Sequence, residues 1–239
     1  MRTWEIGKWL LCGALTACGM TFAQNRHSAT TGSELQLRIV SSKPGKPQAV
    51  PAVIWLEPIS GTPAMPFLPH GHYTLLQKNR TFIPHLLVIP AGSVVQFPNA
   101  DPFYHNVFSL FDGKRFDLGL YEAGSSKSVT FSRVGVSYIF CNIHPEMSAV
   151  VIALTTPLYA MADADDAFVL RDVPAGGYQL HFWIEGVPQS ALGGLDRPVH
   201  ISSEPLNLGD IKAPINHVNP TAHANKFGGS YDTNPASTY

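Results

Sequence analysis

The sequence predicts an all-β fold built from many short strands joined by tight turns. Three features indicate it: glycine and proline are frequent, with 20 residues of each, runs rich in Val, Ile, Phe and Tyr recur between them, and no long amphipathic helical pattern is found. With 239 residues, 45% of them hydrophobic and 14% charged, the chain can bury the core of one large domain or of two small ones.

The first 23 residues have the features of an export signal. A weakly basic start precedes an apolar segment that is too short to span a bilayer comfortably. The small-residue sequence "TFA", ending at Ala23, is a plausible cleavage site. A second motif, "LTAC", resembles the lipobox of bacterial lipoproteins, in which Cys18 becomes the lipid-modified N-terminus. We therefore expect an exported, periplasmic protein, with cleavage after Ala23 and a lipid anchor at Cys18 as open alternatives.

Two strands and a linker are predicted next. Residues 33–42 alternate between apolar and polar side chains, which is the period of a strand with one buried face. Residues 49–58 form a second apolar strand. Residues 59–72 are rich in proline and glycine without a periodic pattern, so they are predicted to be a linker.

A longer series of strands follows from residue 73. Apolar runs separated by turn residues continue to residue 155, at the spacing typical of a β-sandwich or barrel. Residues 168–186 predict two strands around a Pro/Gly turn, and two more strands precede residue 212. Residues 213–239 lack an apolar period and are predicted to be a disordered tail.

Cys141, His144 and Met147 are each separated by two residues in "CNIHPEM". If cleavage after Ala23 removes the leader, Cys141 is the one cysteine that remains and cannot form an internal disulfide. It is then either buried and inert or bound to another group. A thiolate, an imidazole and a thioether suit copper, and a blue-copper set needs one more histidine. His105, which opens a predicted strand upstream, is the best candidate.

A family resemblance supports this set. "FPNADPFYHNVF" and "VGVSYIFCNIHPEM" resemble the cupredoxins, small blue copper proteins such as plastocyanin and amicyanin, over residues 73–155. The Cys-x-x-His-x-x-Met spacing is most similar to the short ligand loop of amicyanin. The resemblance implies a Greek-key β-sandwich and one type 1 copper ion bound by His105, Cys141, His144 and Met147.

The same resemblance assigns supporting roles around the ligands. It implies that the backbone N–H of Asn106 points at the Cys141 sulfur and that the Asn106 side chain ties the two ligand loops together, since such outer contacts orient metal ligands. Pro145 follows the second histidine and, with Ile143, would surround an exposed edge of His144. That edge is the expected port for electrons.

A second module is expected on both sides of the first. Residues 159–186 resemble the second half of a carboxypeptidase-regulatory-like, or Cna-B-like, β-sandwich, whose first half is similar to the N-terminal strands. The predicted discontinuous module therefore comprises residues 34–60 and 156–212, with the cupredoxin inserted, although a plain tandem arrangement is an alternative. Members of that family mostly serve as scaffolds or binding modules, in some cases for carbohydrate, so the resemblance implies no chemistry and offers a glycan contact as one expectation for this module.

The expected function is one-electron transfer outside the cytoplasm, between redox partner proteins and without enzymatic activity. Two alternatives are copper trafficking or storage and a cell-envelope carbohydrate- or protein-binding scaffold with structural copper. Nucleic acid is not an expected partner, since the formal net charge is −1, with 16 basic and 17 acidic residues and no basic cluster.

Overall fold

A computed structural model describes residues 32–42, 50–110, 113–215 and 225–230. These residues form 17 strands and one short helix, α1 (Gln189–Leu192), so the predicted all-β fold class is confirmed. In chain order the strands are β1 (Ser33–Ser41), β2 (Ala52–Pro58), β3 (Tyr73–Thr74), β4 (Leu76–Lys78), β5 (Thr81–Ile83), β6 (Leu86–Pro90), β7 (Ser93–Pro98), β8 (His105–Ser109), β9 (Phe116–Tyr121), β10 (Ser126–Phe131), β11 (Gly135–Cys141), β12 (Ser148–Leu154), β13 (Tyr159–Met161), β14 (Ala167–Val173), β15 (Gly176–Ile184), β16 (Arg197–Ile201) and β17 (Leu206–Ala213). In this part of the chain, no helix is long and apolar enough to cross a membrane.

The strands fall into two sets according to their pairing. The sheets β14-β1-β17 and β13-β2-β15-β16 join strands from both ends of the described chain, and we call them the split sandwich. The sheets β6-β12-β11-β8-β9 and β10-β7-β3, with the hairpin β4-β5, use only residues 73–154, and we call them the continuous sandwich. The chain thus starts the split sandwich, forms the continuous one and then returns.

Two apolar cores hold these sheets together. One core fills the split sandwich, with Leu35, Ile54 and Phe168 among its buried members. The other fills the continuous sandwich and contains Phe97 and Phe131. Burial of apolar surface on this scale is the main favourable contribution to folding.

Strand β12 belongs to both cores. All seven of its residues are buried, and because successive side chains of a strand point to opposite faces, they divide between two surroundings. Val150, Ile152 and Leu154 pack in the core of the split sandwich. The residues between them on the other face, Ala149, Val151 and Ala153, pack in the core of the continuous sandwich. The two sandwiches therefore share one strand as a packing layer.

Part of the predicted disordered tail lies within the described residues. Ala213 ends β17, and Ile215 is buried at 5% exposure. Residues 225–230 form a turn with defined hydrogen bonds. Residues 216–224 and 231–239, like the predicted leader over residues 1–23, lie outside the described residues.

Candidate metal centre

Two neighbouring strands bring the candidate ligands together. Strand β8 begins at His105, and β11 ends at Cys141. The strands are antiparallel neighbours with Cys141 opposite Val107, so the cysteine lies two positions along the ladder from the histidine. The turn after β11 carries His144 and Met147 and leads into β12.

Three ligand atoms converge at this end of the continuous sandwich. His105 Nδ1 lies 3.1 Å from His144 Nδ1, and Cys141 Sγ lies 3.7 Å and 3.5 Å from these two nitrogens. In the described residues, this is the one group of three or more His, Cys, Asp or Glu side chains whose ligand atoms meet in this way. His105 and Cys141 are fully buried, and His144 is half-buried.

Asp101 fixes the orientation of the His105 ring. The Asp101 carboxylate lies 2.9 Å from His105 Nε2, and it also accepts the backbone N–H groups of Asn79 and Arg80 in the two-residue turn between β4 and β5. Burial raises the pKa of Asp101, but these hydrogen bonds outweigh it and hold the pKa below its usual value. A carboxylate at Nε2 keeps the proton there, which leaves the Nδ1 lone pair facing the centre.

The surroundings of His105 and His144 favour the neutral form of both imidazole rings. Burial lowers the pKa of His105 by more than the Asp101 carboxylate raises it. Burial, followed by repulsion from His105, lowers the pKa of His144 to about 4. Neutral imidazole is the form that binds metal ions, so the surroundings favour the metal-binding state of both rings.

Cys141 is fully buried, and several backbone N–H groups partly offset the effect of this burial on the pKa of its thiol. Burial raises the pKa of its thiol, while the backbone N–H groups of Asn106, Ile143 and His144 donate to the sulfur and act in the opposite direction. Such donors favour the thiolate, as does a nearby cation. The sulfur environment thus fits a metal ligand.

Met147 and Pro145 occupy different surroundings. Met147 is fully buried in the same apolar cluster as Cys141; its N–H donates to the His144 carbonyl at 3.1 Å and its carbonyl accepts the Cys141 N–H at 3.2 Å, closing the turn. Pro145 is exposed, and Ile143 is 39% exposed. They form an apolar rim beside His144.

Asn106 differs in part from its expected role. Its backbone N–H donates to the Cys141 sulfur, as the family resemblance implies. Its side-chain Nδ2, however, donates to Asp117 Oδ1 on β9 at 2.7 Å. The connection from Asn106 toward the ligand turn therefore passes through a residue that the sequence did not single out.

Sequence reasoning missed Asp101 and Phe103. The Phe103 ring lies 5.3 Å from the His105 ring and 5.4 Å from the His144 ring, centroid to centroid, and the Arg80 guanidinium lies 5.3 Å from the Phe103 centroid. An acidic residue four positions before His105 was a usable signal for Asp101. The place of Phe103 between two rings depends on tertiary structure and left no signal.

No protein-family model and no curated protein matches this chain. Solved structures match part of it. A copper-containing nitrite reductase from Thermus scotoductus is 25% identical over 41% of this chain, with a TM-score of 0.33, and the match spans 25% of the reductase. A purple cupredoxin from Nitrosopumilus maritimus is 24% identical over 36% of this chain and 100% of its own, with a TM-score of 0.32. A reduced amicyanin variant is 19% identical over 36% of this chain and 86% of its own, with a TM-score of 0.34.

The donor atoms themselves indicate which metal the centre suits. Two imidazole nitrogens and one thiolate, with a thioether sulfur in the adjoining turn, form a mixed soft and intermediate set, which is compatible with copper. The facing nitrogens of His105 and His144, 3.1 Å apart, need a cation or a shared proton between them. The residues present therefore fit a copper ion.

Proposed function

We propose that this chain is a type 1 copper protein that carries single electrons between redox partner proteins outside the cytoplasm. The observation that carries this proposal is the convergence of His105 Nδ1, His144 Nδ1 and Cys141 Sγ within 4.8 Å at one end of a β-sandwich. Met147, buried beside Cys141, is the proposed fourth and weakest ligand. One copper ion fits this set.

The chain's own residues would prepare the site before any metal arrives. Asp101 fixes the proton of His105 at Nε2 and so fixes the ligand nitrogen. The backbone N–H groups that point at the sulfur favour its thiolate form. A prearranged ligand set needs little reorganisation, which favours rapid electron exchange. Bound copper would supply the one-electron couple.

The burial of the ligands supports a carrier rather than an enzyme. His105, Cys141 and Met147 are fully buried, and among the proposed ligands His144 alone is half-exposed. A substrate molecule would have to reach the metal past that ring, whereas an electron needs only contact with its edge. The apolar rim of Ile143 and Pro145 around His144 suits the small, transient interface of a redox partner.

Metal loading of the purified protein tests the proposal. We expect one equivalent of Cu(II) to produce an intense visible charge-transfer band, an EPR signal with small copper hyperfine splitting and a reversible one-electron potential. Cys141→Ser is the matched control, because it removes the sulfur and keeps the size of the side chain. It should lose the band.

Each failure has its own meaning. A protein that binds Cu(I) but gives no Cu(II) spectrum and no reversible couple would favour the trafficking or storage alternative. A protein whose fold and glycan binding survive in Cys141→Ser, and which shows no copper-dependent redox activity, would favour a scaffold.

We also propose export from the cytoplasm on the basis of the N-terminal motifs. Mass spectrometry of the mature protein distinguishes cleavage after Ala23 from lipid modification at Cys18. Glycan contact by the split sandwich remains a proposal from the family resemblance alone. Binding to a glycan array by wild-type protein and by Cys141→Ser separates this contact from copper chemistry.

A further inference from the structure

We propose that residues 225–230, which we call the C-terminal brace, hold the two ligand-bearing strand ends in register, with Lys226 as a positioning residue for the metal centre. Its effect on the copper potential rests on the proposed function above. Its effect on Cys141 in the metal-free protein does not.

The brace contacts both sides of the centre through one residue. The Lys226 backbone N–H donates to Asn142 Oδ1 at 2.9 Å, directly after the ligand Cys141. The Lys226 ammonium donates to Asp117 Oδ2 at 2.7 Å. The other oxygen of Asp117 accepts from Asn106 Nδ2 at 2.7 Å, directly after the ligand His105.

These contacts form a closed ring of hydrogen bonds and covalent bonds that includes the Cys141 sulfur. The backbone N–H of Asn106 donates to Cys141 Sγ, Cys141 is joined covalently to Asn142, and Asn142 is linked through Lys226 and Asp117 back to Asn106. Each member is held from two sides. The distance between the two ligand strands at this point therefore depends on a residue more than 80 positions further along the chain.

The brace has its own internal structure. Asn225 Oδ1 accepts the backbone N–H groups of Phe227 and Gly229, both at 3.0 Å, and its backbone pairs with Gly229 and Gly228 at 2.9 Å. Gly228 has a φ of 82°, a conformation that glycine adopts without strain. This local turn presents Lys226 in a defined direction instead of leaving it on a free tail.

The positive charge of Lys226 is paired with the negative charge of Asp117. Burial raises the pKa of Asp117, but hydrogen bonds from Lys226, Asn106 and the Gly119 N–H outweigh it and lower the pKa below its usual value. The side chains of Lys226 and Asp117 are 24% and 40% exposed, and ion pairs this exposed contribute little to global stability. Because this pair links Asn106, directly after His105, to Asn142, directly after Cys141, its role is to align these two segments.

Lys226→Met tests the brace in the metal-free protein first. We expect alkylation of Cys141, followed by mass spectrometry of its peptide, to accelerate roughly fivefold, the factor for losing one net hydrogen bond that restrains the turn. Asn142→Ala should give a similar acceleration because it removes the acceptor of the Lys226 N–H. Lys212→Met, which removes a charge from an exposed position of β17, is the matched control and should change nothing.

The copper-loaded protein gives a second, electrostatic readout. Without Lys226 the Asp117 carboxylate is uncompensated and stabilises the higher charge of Cu(II), so Lys226→Met should lower the reduction potential. Asp117→Asn should raise it, and the double variant should return near the wild-type value. A merely structural role for the brace would not give shifts of opposite sign.

The outcomes separate the two proposals. If the chain binds no copper but alkylation accelerates as described, the proposed function fails, and the brace stands as a restraint on the turn that carries Cys141. If copper binds and the potential is reversible, while Lys226→Met and Asn142→Ala match Lys212→Met in both readouts, the brace is overturned.

Discussion

The two sandwiches differ in what they bury besides apolar side chains. Of the eleven buried polar or charged residues in the described chain, nine lie between residues 73 and 154, in the continuous sandwich. The split sandwich has Ser33, and Thr156 lies between the two. Burying a polar group is unfavourable unless it is hydrogen-bonded, so a concentration of such groups needs a reason beyond stability.

The location of four of these nine residues indicates a reason. Asn99, Asp101, His105 and Asn106 lie at the end of the continuous sandwich that carries the candidate metal centre. Asn99, Asp101 and His105 are linked by hydrogen bonds to one another or to nearby backbone, and Asn106 donates to the side chain of Asp117. The split sandwich has instead an almost purely apolar core. This difference agrees with the proposed function, in which the continuous sandwich holds the copper ion and the split sandwich supports it.

The largest expected effect separates the two cores. Phe168 in the split sandwich is 1% exposed and Phe97 in the continuous sandwich is fully buried, and replacing either by alanine should lower the free energy of unfolding by about 3–5 kcal/mol. Phe97 lies two residues before Asn99, which is hydrogen-bonded to the Asp101 that contacts His105, so only Phe97→Ala should also change the copper spectrum. Denaturant unfolding and absorption spectra of both variants check this, and a spectrum altered equally by both would contradict the division of roles.

A second substitution tests whether the sandwiches are independent. Ile152 on β12 is fully buried and packs in the core of the split sandwich from a strand of the continuous one. Ile152→Ala should lower the free energy of unfolding by about 2–5 kcal/mol in one transition, seen alike by the copper band and by the fluorescence of Trp55 and Trp183, which both lie in the split sandwich. Two separate transitions in wild-type protein would show that the shared strand does not couple the regions.

A third and smaller effect concerns the metal affinity of the candidate centre and the buried Asp101 beside it. Asp101→Asn keeps the shape of the side chain but removes the charge beside His105 Nε2, and loss of such an outer partner typically lowers metal affinity about 10- to 100-fold. Competition with a copper chelator measures the affinity. Asp165→Asn, at an exposed turn of the split sandwich, is the control and should keep full affinity; equal affinity in both variants would remove Asp101 from the site.

The sequence could predict that His105, Cys141 and His144 come together because the signal for these candidate ligands is local. Cys141, His144 and Met147 lie within seven residues, and His105 opens a strand whose turn residues are visible upstream. Asp117 and Lys226 gave no comparable signal. Their contacts arise from the pairing of β8 with β9 and from the position of Lys226 against Asp117 and Asn142, and no spacing rule encodes either.

The fold shows the same limit. The apolar run at residues 148–154 belongs to the predicted series of strands, and the structure has β12 there. The run could not show that the two faces meet different cores, because a leucine or valine pattern is the same whatever covers it. Which sheet covers a face is decided by tertiary structure, not by period.

The smallest expected effect lies at the junction of the two sandwiches. His85 Nε2 lies 2.6 Å from Glu185 Oε1 at the end of β15, and its Nδ1 lies 3.1 Å from the Ser148 carbonyl on β12. The hydrogen bond to Glu185 is the largest cause of a raised His85 pKa, which exceeds the opposing effect of burial. The protonated ring therefore stabilises the folded state. This contribution is complete below the pKa of an unfolded histidine, about 6.5, and is lost as the pH rises through the higher folded-state pKa.

Glu185→Gln removes the carboxylate and tests this junction. Because the His85 side chain is 35% exposed, the contribution should be below about 1 kcal/mol. Unfolding free energies measured from about pH 6 to about pH 9 should fall with pH more steeply in wild-type protein than in the variant, and the two curves should converge at high pH. Parallel curves would mean that His85 does not titrate against Glu185, and the junction would then depend on the apolar faces of β12 alone.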